Sequence, residues 1–338
     1  MNHSARGADA GSPQSTAAAR DAWSRYWAQG APHSCVGSYG DSYGGAIAEF
    51  WSDVFRTLPS AARVLDVATG NGALPRLLLK DCPSANVSCD AVDIASIAPT
   101  WLSAASPVDR GRVHFQGQVD AGLLPFSDSS FDLVISQYGF EYTDVERTLP
   151  EVLRVLARAG SIALVLHHSG GRPVTLAGVE LAHLDWLMKL GGLFDGAAAL
   201  LEPMALASTA QGRALLDGDP RAIAARERFN DLLSELASRA EHVDGADILF
   251  DVRDAIMAVL AAVAGQGKLL AENRLLALRD DFTNASTRLR DLMAHAVTAA
   301  AARALQSRLS EALNTSVGLG ELREQGHLMG WTLRTPVP

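Results

Sequence analysis

Apolar and polar positions follow a repeating pattern in the first half of this chain. Short apolar runs recur between residues 61 and 170, separated by turns or by segments with helical spacing. The runs lie at residues 62–68, 87–93, 113–117, 132–138 and 160–168. Strands that alternate with helices form right-handed βαβ crossovers, so the pattern predicts an α/β fold with a doubly wound, mostly parallel sheet.

The pattern changes between residues 172 and 313, where strand signals disappear and alanine, leucine and arginine recur at helical spacing. Asp219-Pro220 indicates a helix start, since an acid at the N-cap is followed by proline at the first helical position. We predict a large, all-helical insertion that serves as a cap over the sheet or as a dimerisation subdomain. In residues 314–338 we expect one final sheet strand, at 328–337.

The N-terminal part of the chain divides in two. Residues 1–19 are rich in alanine, serine and glycine, lack the apolar core of a signal peptide and are expected to form a flexible tail. Residues 20–60 are rich in aromatic side chains, and residues 46–58 show the apolar face of an amphipathic helix. We predict that residues 20–60 form a helical lid, with glycines near 39–45 for mobility; the alternative is a helix that only packs on the sheet.

The composition of the chain limits the number of domains and the classes of partner that the protein is expected to bind. The 338 residues allow about two domains at ~150 residues each. A net charge of −9 argues against a nucleic-acid partner. Three cysteines without paired metal-ligand spacing predict neither a disulfide framework nor a metal site, and favour a reducing cytoplasm. The longest uninterrupted apolar run, residues 255–264, is too short to span a bilayer, so no membrane partner is expected.

The most informative segment is RVLDVATGNGA at residues 63–73, which reads as a buried strand, a tight glycine turn and a helix start. In open α/β sheets, ligands bind at the carboxyl ends of the strands beside such a turn. Glycine adopts positive φ angles and lets the backbone approach a ligand closely. Asp93 ends the second strand, where an acid can bind the hydroxyls of a ribose; the alternative is a loop-capping aspartate.

Further polar residues follow the later strands. Asp120 comes after the third strand and before an apolar Leu-Pro-Phe element; it either accepts from an exocyclic amine or forms an Asx-turn. The fourth strand ends in residues 136–142 and the fifth in His167 and His168. Because adjacent residues on a strand point to opposite faces, at most one of these histidines faces the pocket.

Taken in order, these segments resemble the class I S-adenosylmethionine-dependent methyltransferases, in particular the small-molecule branch. The resemblance covers about residues 60–170 and rests on VLDVATGNG at 64–72, Asp93, the D-x-x-x-LPF loop at 120–126, and FDLVISQYGFEY at 131–142 with LPEVLRVLARAGSIALVLHH at 149–168. It implies a Rossmann-like fold and S-adenosyl-L-methionine as cofactor.

The resemblance also implies roles for individual residues. Asp66 would orient the glycine turn and approach the methionine amine, Asp93 would bind the ribose, Ile94 would pack on adenine and Asp120 would bind the adenine amine. The expected cofactor-binding residues are Asp66, Ala68, Thr69, Gly70, Asn71, Gly72, Asp93, Ile94, Val119, Asp120, Ala121, Ser136 and Gln137.

The chain departs from the family pattern in two places. The usual Pro-Gly-Gly turn reads Arg158-Ala159-Gly160, for which only local change is expected. The family ends in an antiparallel strand pair preceded by a helix, whereas the pattern here shows one final strand after a long helical stretch. Residues 172–313 therefore look like an insertion between the fifth strand and the end of the sheet.

The predicted function is methyl transfer to a small, apolar or aromatic acceptor, with O- or N-methylation favoured over C-methylation. Such transfer is an in-line displacement that depends on positioning, and a hydroxyl or ammonium acceptor also needs a base. The candidate catalytic residues are His33, Tyr138, Glu141, His167 and His168.

Two other functions stay open. One is a non-catalytic regulatory protein that binds S-adenosylmethionine and docks a partner through its helical region. The other is an NAD-dependent oxidoreductase, because Gly70 and Gly72 begin a G-x-G-x-x-G motif, although Pro75 stands at its third position. No basic patch with interleaved aromatics is visible, which disfavours a nucleic-acid methyltransferase.

Overall fold

A computed structural model of the protein describes residues 13–34, 40, 42–83, 86–241, 243 and 245–336. Its centre is a seven-stranded sheet in the order β3-β2-β1-β4-β5-β7-β6. The strands are β1 (Arg63–Val67), β2 (Ser88–Asp93), β3 (Val113–Gly117), β4 (Phe131–Gln137), β5 (Leu156–His167), β6 (Gly318–Glu324) and β7 (His327–Arg334). The first five strands pair in parallel, and β7 pairs antiparallel with β5 and β6. The predicted α/β fold with a mostly parallel sheet is confirmed.

The helices fill both the chain crossovers and the long insertion. They are α1 (Pro13–Ala28), α2 (Gly45–Phe55), α3 (Ala73–Asp81), α4 (Trp101–Ala104), α5 (Pro107–Arg112), α6 (Val145–Val155), α7 (Arg172–Met188), α8 (Leu193–Ala207), α9 (Ala210–Leu216), α10 (Pro220–Ala240), α11 (Asp247–Gln266), α12 (Lys268–His295) and α13 (Ala299–Leu313). The first helix begins at Pro13, inside the segment 1–19 that we expected to be a tail.

The sheet is covered on both faces, which explains why its central strands are almost wholly apolar. On one face, Trp51 of α2 and Leu78 of α3 pack against Val64 of β1. On the other, Val152 of α6 and Leu305 of α13 pack with Leu65, again of β1. Successive residues of β1 thus point into opposite cores, and the polar Asp66 lies between two apolar neighbours at the carboxyl end of the strand.

The C-terminus corrects the expectation of one final strand. Two strands, β6 and β7, form an antiparallel hairpin after helix α13. Gln325 and Gly326 connect them with φ angles of 50° and 83°, the left-handed conformation that tight hairpin turns require. Since β6 lies at the sheet edge and most of its side chains are exposed, its sequence carries too little apolar alternation to be recognised.

The chain divides into two compact units, and the boundaries differ from those predicted. One unit comprises the residues up to Val174 and from Asp291 onward, and the other is Thr175–Arg290. The helical segment predicted at 172–313 is therefore shorter, because α13 packs in the core of the sheet-containing unit through Ala302, Leu305 and Leu309. The helical unit has its own apolar core, which includes Leu187, Phe194, Leu232, Leu249 and Ile256.

One described helical stretch, Arg172–Ala207, is long and apolar enough by length and composition to cross a membrane, and one third of its most apolar window is buried. The core helix of a globular protein meets the same criteria, so this stretch is weak evidence for a membrane span.

Candidate active site

The glycine turn between β1 and α3 forms the floor of the site. Gly70 and Gly72 have φ angles of 55° and 81°, which explains the need for glycine at both positions. A Cβ atom on Gly72 would also lie 2.3 Å from the Phe115 ring. The amide of Thr69 donates to the carbonyl of Val92 at 3.0 Å, which holds the turn against the end of β2.

Asp66 is buried at the end of β1 with one oxygen already engaged. Its Oδ2 accepts a hydrogen bond from the Thr69 hydroxyl at 2.6 Å. Its Oδ1 is buried and has no hydrogen-bond partner among the described residues. Burial is the main cause that raises the pKa of Asp66 from 3.8 to about 8; the Thr69 hydrogen bond lowers it, and the nearby Asp93 raises it further. A cation bound beside Oδ1 would favour the ionised form of Asp66 and lower its pKa.

Asp93, at the end of β2, connects two loops. Its Oδ2 accepts from the amide of Gly70 and its Oδ1 from the amide of Ala95, both at 2.8 Å. Burial raises the pKa of Asp93 to about 6, while these two backbone hydrogen bonds lower it. Because each carboxylate oxygen has two lone pairs, Asp93 can accept further hydrogen bonds from a ligand. The loop-capping role that we weighed as the alternative is present, and it leaves capacity for a ribose.

A cavity of about 90 Å³ lies above this floor. Its walls come from the glycine turn, from the ends of β2 and β4, and from the aromatic N-terminal segment. Predicted site residues that line it are His33, Asp66, Ala68, Thr69, Asp93, Ile94, Gln137 and Tyr138. No lysine or arginine is among the described lining residues, so the only formally charged side chains there are the two aspartates.

The predicted lid contributes Trp23, Trp27, His33, Ser34 and Tyr43 to the cavity wall. The Trp23 and Trp27 rings stack with centroids 5.7 Å apart. The clustering of aromatic residues indicated this role in the sequence, although it did not identify Trp27 as the ring that meets the glycine turn. The predicted lid residues 35–39 and 41 lie outside the described part of the chain.

Asn71 was expected to bind cofactor, but its side chain bonds to other parts of the protein. Its amide nitrogen donates to the carbonyls of Trp27 at 2.9 Å and Ala31 at 2.8 Å. Its amide oxygen accepts from the amide of Ala98 at 2.9 Å. Asn71 does not line the cavity.

Asp120 adopts the Asx-turn that we weighed against adenine recognition. Its Oδ1 accepts from the amide of Gly122 at 2.8 Å, and its Oδ2 lies 3.0 Å from Arg147. Neither Asp120 nor its neighbours Val119 and Ala121 line the cavity, so their contact with a cofactor stays a prediction.

At the end of β4, two neighbouring polar side chains do different things. The Ser136 hydroxyl is buried and donates to the carbonyl of Val67 at 2.7 Å, so it joins β4 to β1. Gln137 lines the cavity, and its Oε1 accepts from the Trp51 indole at 2.6 Å. The Nε2 of Gln137 is buried without a hydrogen-bond partner among the described residues, so it can donate to a ligand oxygen.

The two histidines at the end of β5 face opposite ways, as expected. His168 stacks on Trp331, with ring centroids 4.3 Å apart, and accepts from the amide of Gly170. His167 is buried, and its Nδ1 lies 2.9 Å from Glu141 Oε1, which also accepts from the His167 amide. His167 stacks on Tyr138 with ring centroids 4.1 Å apart. Tyr138 lines the cavity and His167 does not, so the Tyr138 ring lies between His167 and the cavity.

Within the described part of the chain, no group of three or more His, Cys, Asp or Glu side chains is placed to hold a metal ion.

Comparison with known proteins identifies the region that carries this site. Residues 64–160 match the sequence profile of a family described as a methyltransferase domain. Over 107 residues the chain is 37% identical to a demethylmenaquinone methyltransferase of Thermus thermophilus, which covers 30% of this chain and 46% of that protein. Over 110 residues it is 37% identical to a malonyl-[acyl-carrier protein] O-methyltransferase of Geobacter sulfurreducens, which covers 32% of this chain and 40% of that protein.

Among solved structures, the YcgJ protein from Bacillus subtilis is 28% identical, with 41% of this chain and 58% of that chain covered and a TM-score of 0.30. The chain spans less than half the length of the two curated relatives, and their similarity falls on the segment that holds the glycine turn and both aspartates. Residues 64–160 therefore form a class I S-adenosylmethionine-dependent methyltransferase domain, whose family cofactor is S-adenosylmethionine.

Proposed function

We propose that this protein transfers a methyl group from S-adenosylmethionine to oxygen or nitrogen of a small, uncharged acceptor. The observation that carries the proposal is the pair of buried aspartates, Asp66 and Asp93, in a cavity whose described lining holds no basic side chain. Buried carboxylates are retained where they meet a partner of opposite charge. A cofactor with an ammonium and a sulfonium group supplies that charge.

The hydrogen-bonding groups of the cavity fit the cofactor, but the cavity is smaller than the cofactor needs. Asp66 Oδ1 and Gln137 Nε2 offer one unused acceptor and one unused donor. Ligand pockets usually enclose about 300–1,000 Å³, and this cavity measures about 90 Å³. The aromatic N-terminal segment forms one wall, so we propose that it is a lid that moves outward when the cofactor enters.

When bound, S-adenosylmethionine supplies a methyl group on a sulfonium that is already activated for in-line displacement. The protein's own residues then hold the two reactants, exclude water and accept a proton where the acceptor loses one. His33 is the candidate base that lines the cavity, and its ring stacks on Tyr43 at 4.4 Å. Tyr138 separates the His167–Glu141 pair from the cavity.

The lining also supports a class of acceptor. Trp23, Trp27, Tyr43, Tyr138 and Tyr142 line the cavity, so aromatic side chains make up much of its wall. No lysine or arginine among the described lining residues would pair with a carboxylate or phosphate acceptor, which disfavours such an acceptor. We therefore propose a neutral, planar acceptor, and we expect a phenol or aromatic amine to be methylated in preference to its carboxylated analogue.

Calorimetric titration with S-adenosylmethionine tests the binding part of this proposal. Asp93→Asn should lose about 1–3 kcal/mol of binding free energy, because a charged acceptor of hydrogen bonds is removed. Asp90→Asn is the matched control, since Asp90 lies on the same strand but pairs with Arg63 outside the cavity. Absence of binding by the unchanged protein, or equal losses in both variants, would contradict the proposed site.

The non-catalytic alternative, a protein that binds S-adenosylmethionine without transferring its methyl group, uses the same cavity. A screen of phenols and aromatic amines for methylated product distinguishes the two functions. Product formation that requires both the acceptor and the protein supports the enzyme, whereas tight cofactor binding without any turnover supports a regulatory binding protein.

A further inference from the structure

The described hydrogen bonds of the Asn71 side chain all join it to main-chain atoms. Both contacts of its amide nitrogen are carbonyl oxygens, of Trp27 in the last turn of α1 and of Ala31 just beyond it. The Trp27 carbonyl also accepts from the amide of Gly30 at 3.0 Å, so Asn71 adds a second hydrogen bond to the last turn of α1. Asn71 is 2% exposed, which means that water does not compete for these bonds.

The same contact places Trp27 on the glycine turn. A Cβ atom on Gly70 would lie 2.6 Å from two atoms of the Trp27 ring, so the indole rests directly on the backbone of that turn. Ser24, one turn earlier in α1, accepts from the amide of Ser96 at 3.0 Å in the loop that follows β2. Helix α1 is thus attached to both loops that follow β1 and β2, the strands that carry Asp66 and Asp93.

We propose that Asn71 is a positioning residue that fastens helix α1 over the cofactor site and thereby sets the rates of cofactor entry and exit. Asn71 acts through Trp27 and Ala31 and does not touch the cofactor. The identity of the ligand rests on the proposed function, whereas the attachment of α1 does not. A nucleoside needs more space than the cavity of about 90 Å³ beside Trp27. In this proposal the two amide hydrogen bonds of Asn71 break as α1 moves away and form again behind the ligand.

Asn71→Asp is the most informative variant. It keeps the shape of the side chain and an oxygen that can accept from Ala98, but it replaces both donors with an oxygen that faces two carbonyls. Asn71→Ala removes the donors without adding charge and is the second variant in case the aspartate fails to fold. Asn230→Asp, at an exposed position on α10, is the control for the chemical change alone.

The first measurement is hydrogen–deuterium exchange of residues 23–34 in the cofactor-free protein. Each lost hydrogen bond is worth about 0.5–1.5 kcal/mol, so we expect exchange in this segment to accelerate by about ten-fold or more in both Asn71 variants. Segments of the sheet and the Asn230→Asp protein should keep their wild-type exchange. Unchanged protection of residues 23–34 in a folded Asn71 variant would overturn the proposal, whether or not the protein binds S-adenosylmethionine.

The second measurement is stopped-flow tryptophan fluorescence with S-adenosylmethionine. A lid that opens more often should accelerate both association and dissociation. Simple damage to the site would accelerate dissociation and leave association unchanged or slower, and that outcome would also overturn the proposal. Failure of every protein, including the wild type, to bind the cofactor would instead refute the proposed function, and the exchange experiment would still decide the role of Asn71.

Discussion

At the residue scale, the site contains two acidic side chains whose burial lowers the stability of the folded protein. Asp66 and Asp93 are buried in one small cavity, and the charge of Asp93 adds to the effect of burial on Asp66. Burying an unpaired charge costs free energy, so the residue is retained for what it binds and not for the stability of the empty protein. This trade between stability and binding can be measured directly.

Asp66→Asn should stabilise the protein increasingly as the pH rises. The pKa of Asp66 is about 8 in the folded protein and 3.8 in its usual state. Between these values the folded state holds a proton that the unfolded chain has released, so the wild type loses stability as the pH rises. Below pH 4 both proteins are uncharged at this position and should differ little. Denaturant unfolding at pH 4, 6 and 8 measures the difference.

The same variant should bind S-adenosylmethionine more weakly at pH 8, because a cation loses its carboxylate partner. In the unfolding experiment, Asp231→Asn on the exposed face of α10 is the control. Its difference in stability from the wild type should not grow as the pH rises. If Asp66→Asn were equally destabilising at every pH, the raised pKa of Asp66 would be refuted.

The histidines give a second prediction. His33 lines the cavity, whereas His168 stacks on Trp331 away from it. If the acceptor loses a proton, His33→Ala should lower kcat by about 10²–10⁴-fold, the usual range for a lost general base. His168→Ala should leave kcat close to wild type. Initial rates of methyl transfer test both variants, and recovery of the His33→Ala rate with added imidazole would show that the ring is needed as a base.

How far the sequence predicts this site depends on the range of each contact. Asp66 and Asp93 were identified because they adjoin strand ends, where the position of a residue in the chain fixes its position in the fold. The partners of Asn71 and Asp120 were not identified, since Trp27 and Arg147 lie 44 and 27 residues away, and no local pattern indicates which distant groups meet. The opposite directions of His167 and His168 follow from strand geometry alone and were expected.

At the element scale, the hairpin of β6 and β7 supports the site through contacts of β7 with Tyr138 and with strand β5. The Tyr138 hydroxyl donates to the carbonyl of Met329 at 3.1 Å, and β7 pairs with β5 as far as His167. The sequence indicated β7 by its apolar positions but not the exposed β6. It indicated α2 for the same reason, because Ile47, Trp51 and Phe55 bury one face of that helix.

Gly330→Ala should destabilise the protein by about 1–3 kcal/mol, the usual cost of overpacking. A Cβ atom there would lie 2.6 Å from the carbonyl oxygen of Leu166 and 3.1 Å from the Tyr138 ring. Gly318→Ala, in the neighbouring strand, is the matched control, because its nearest contact would be an ordinary 3.5 Å. Chemical denaturation compares the two, and equal effects would show that β5 and Tyr138 do not press on Gly330.

At the scale of the whole molecule, the chain leaves the sheet-containing unit and returns to it at one point. The amide of Val297 donates to the carbonyl of His167 at 2.8 Å, and the amide of Ser169 donates to the carbonyl of Val297 at 3.0 Å. The sequence showed that an insertion exists, because strand signals stop. Its end was misjudged, because α13 has the same Ala/Leu composition as the inserted helices and only its packing in the sheet core distinguishes it. Dimerisation through the inserted helices stays a prediction.

Excision of the helical unit is the test that belongs to this scale. Replacing Thr175–Arg290 with a short Gly/Ser linker removes no residue from either core of the sheet-containing unit. It also keeps Asp291, whose Oδ2 accepts from the Trp23 indole at 2.9 Å and helps to hold α1. All the described residues that line the cavity lie in the retained unit, so the affinity for S-adenosylmethionine should stay close to that of the intact protein.

Calorimetry of the excised protein measures that affinity, and acceptor turnover is assayed beside it. Retained cofactor binding with lost turnover would assign the acceptor's contacts to residues 175–290, and retention of both would leave methyl transfer entirely to the sheet-containing unit. Loss of cofactor binding in a protein that still unfolds cooperatively would contradict the assignment of the cofactor site to the sheet-containing unit alone. The result decides whether the insertion is part of the catalytic machinery or a separate module carried between β5 and α13.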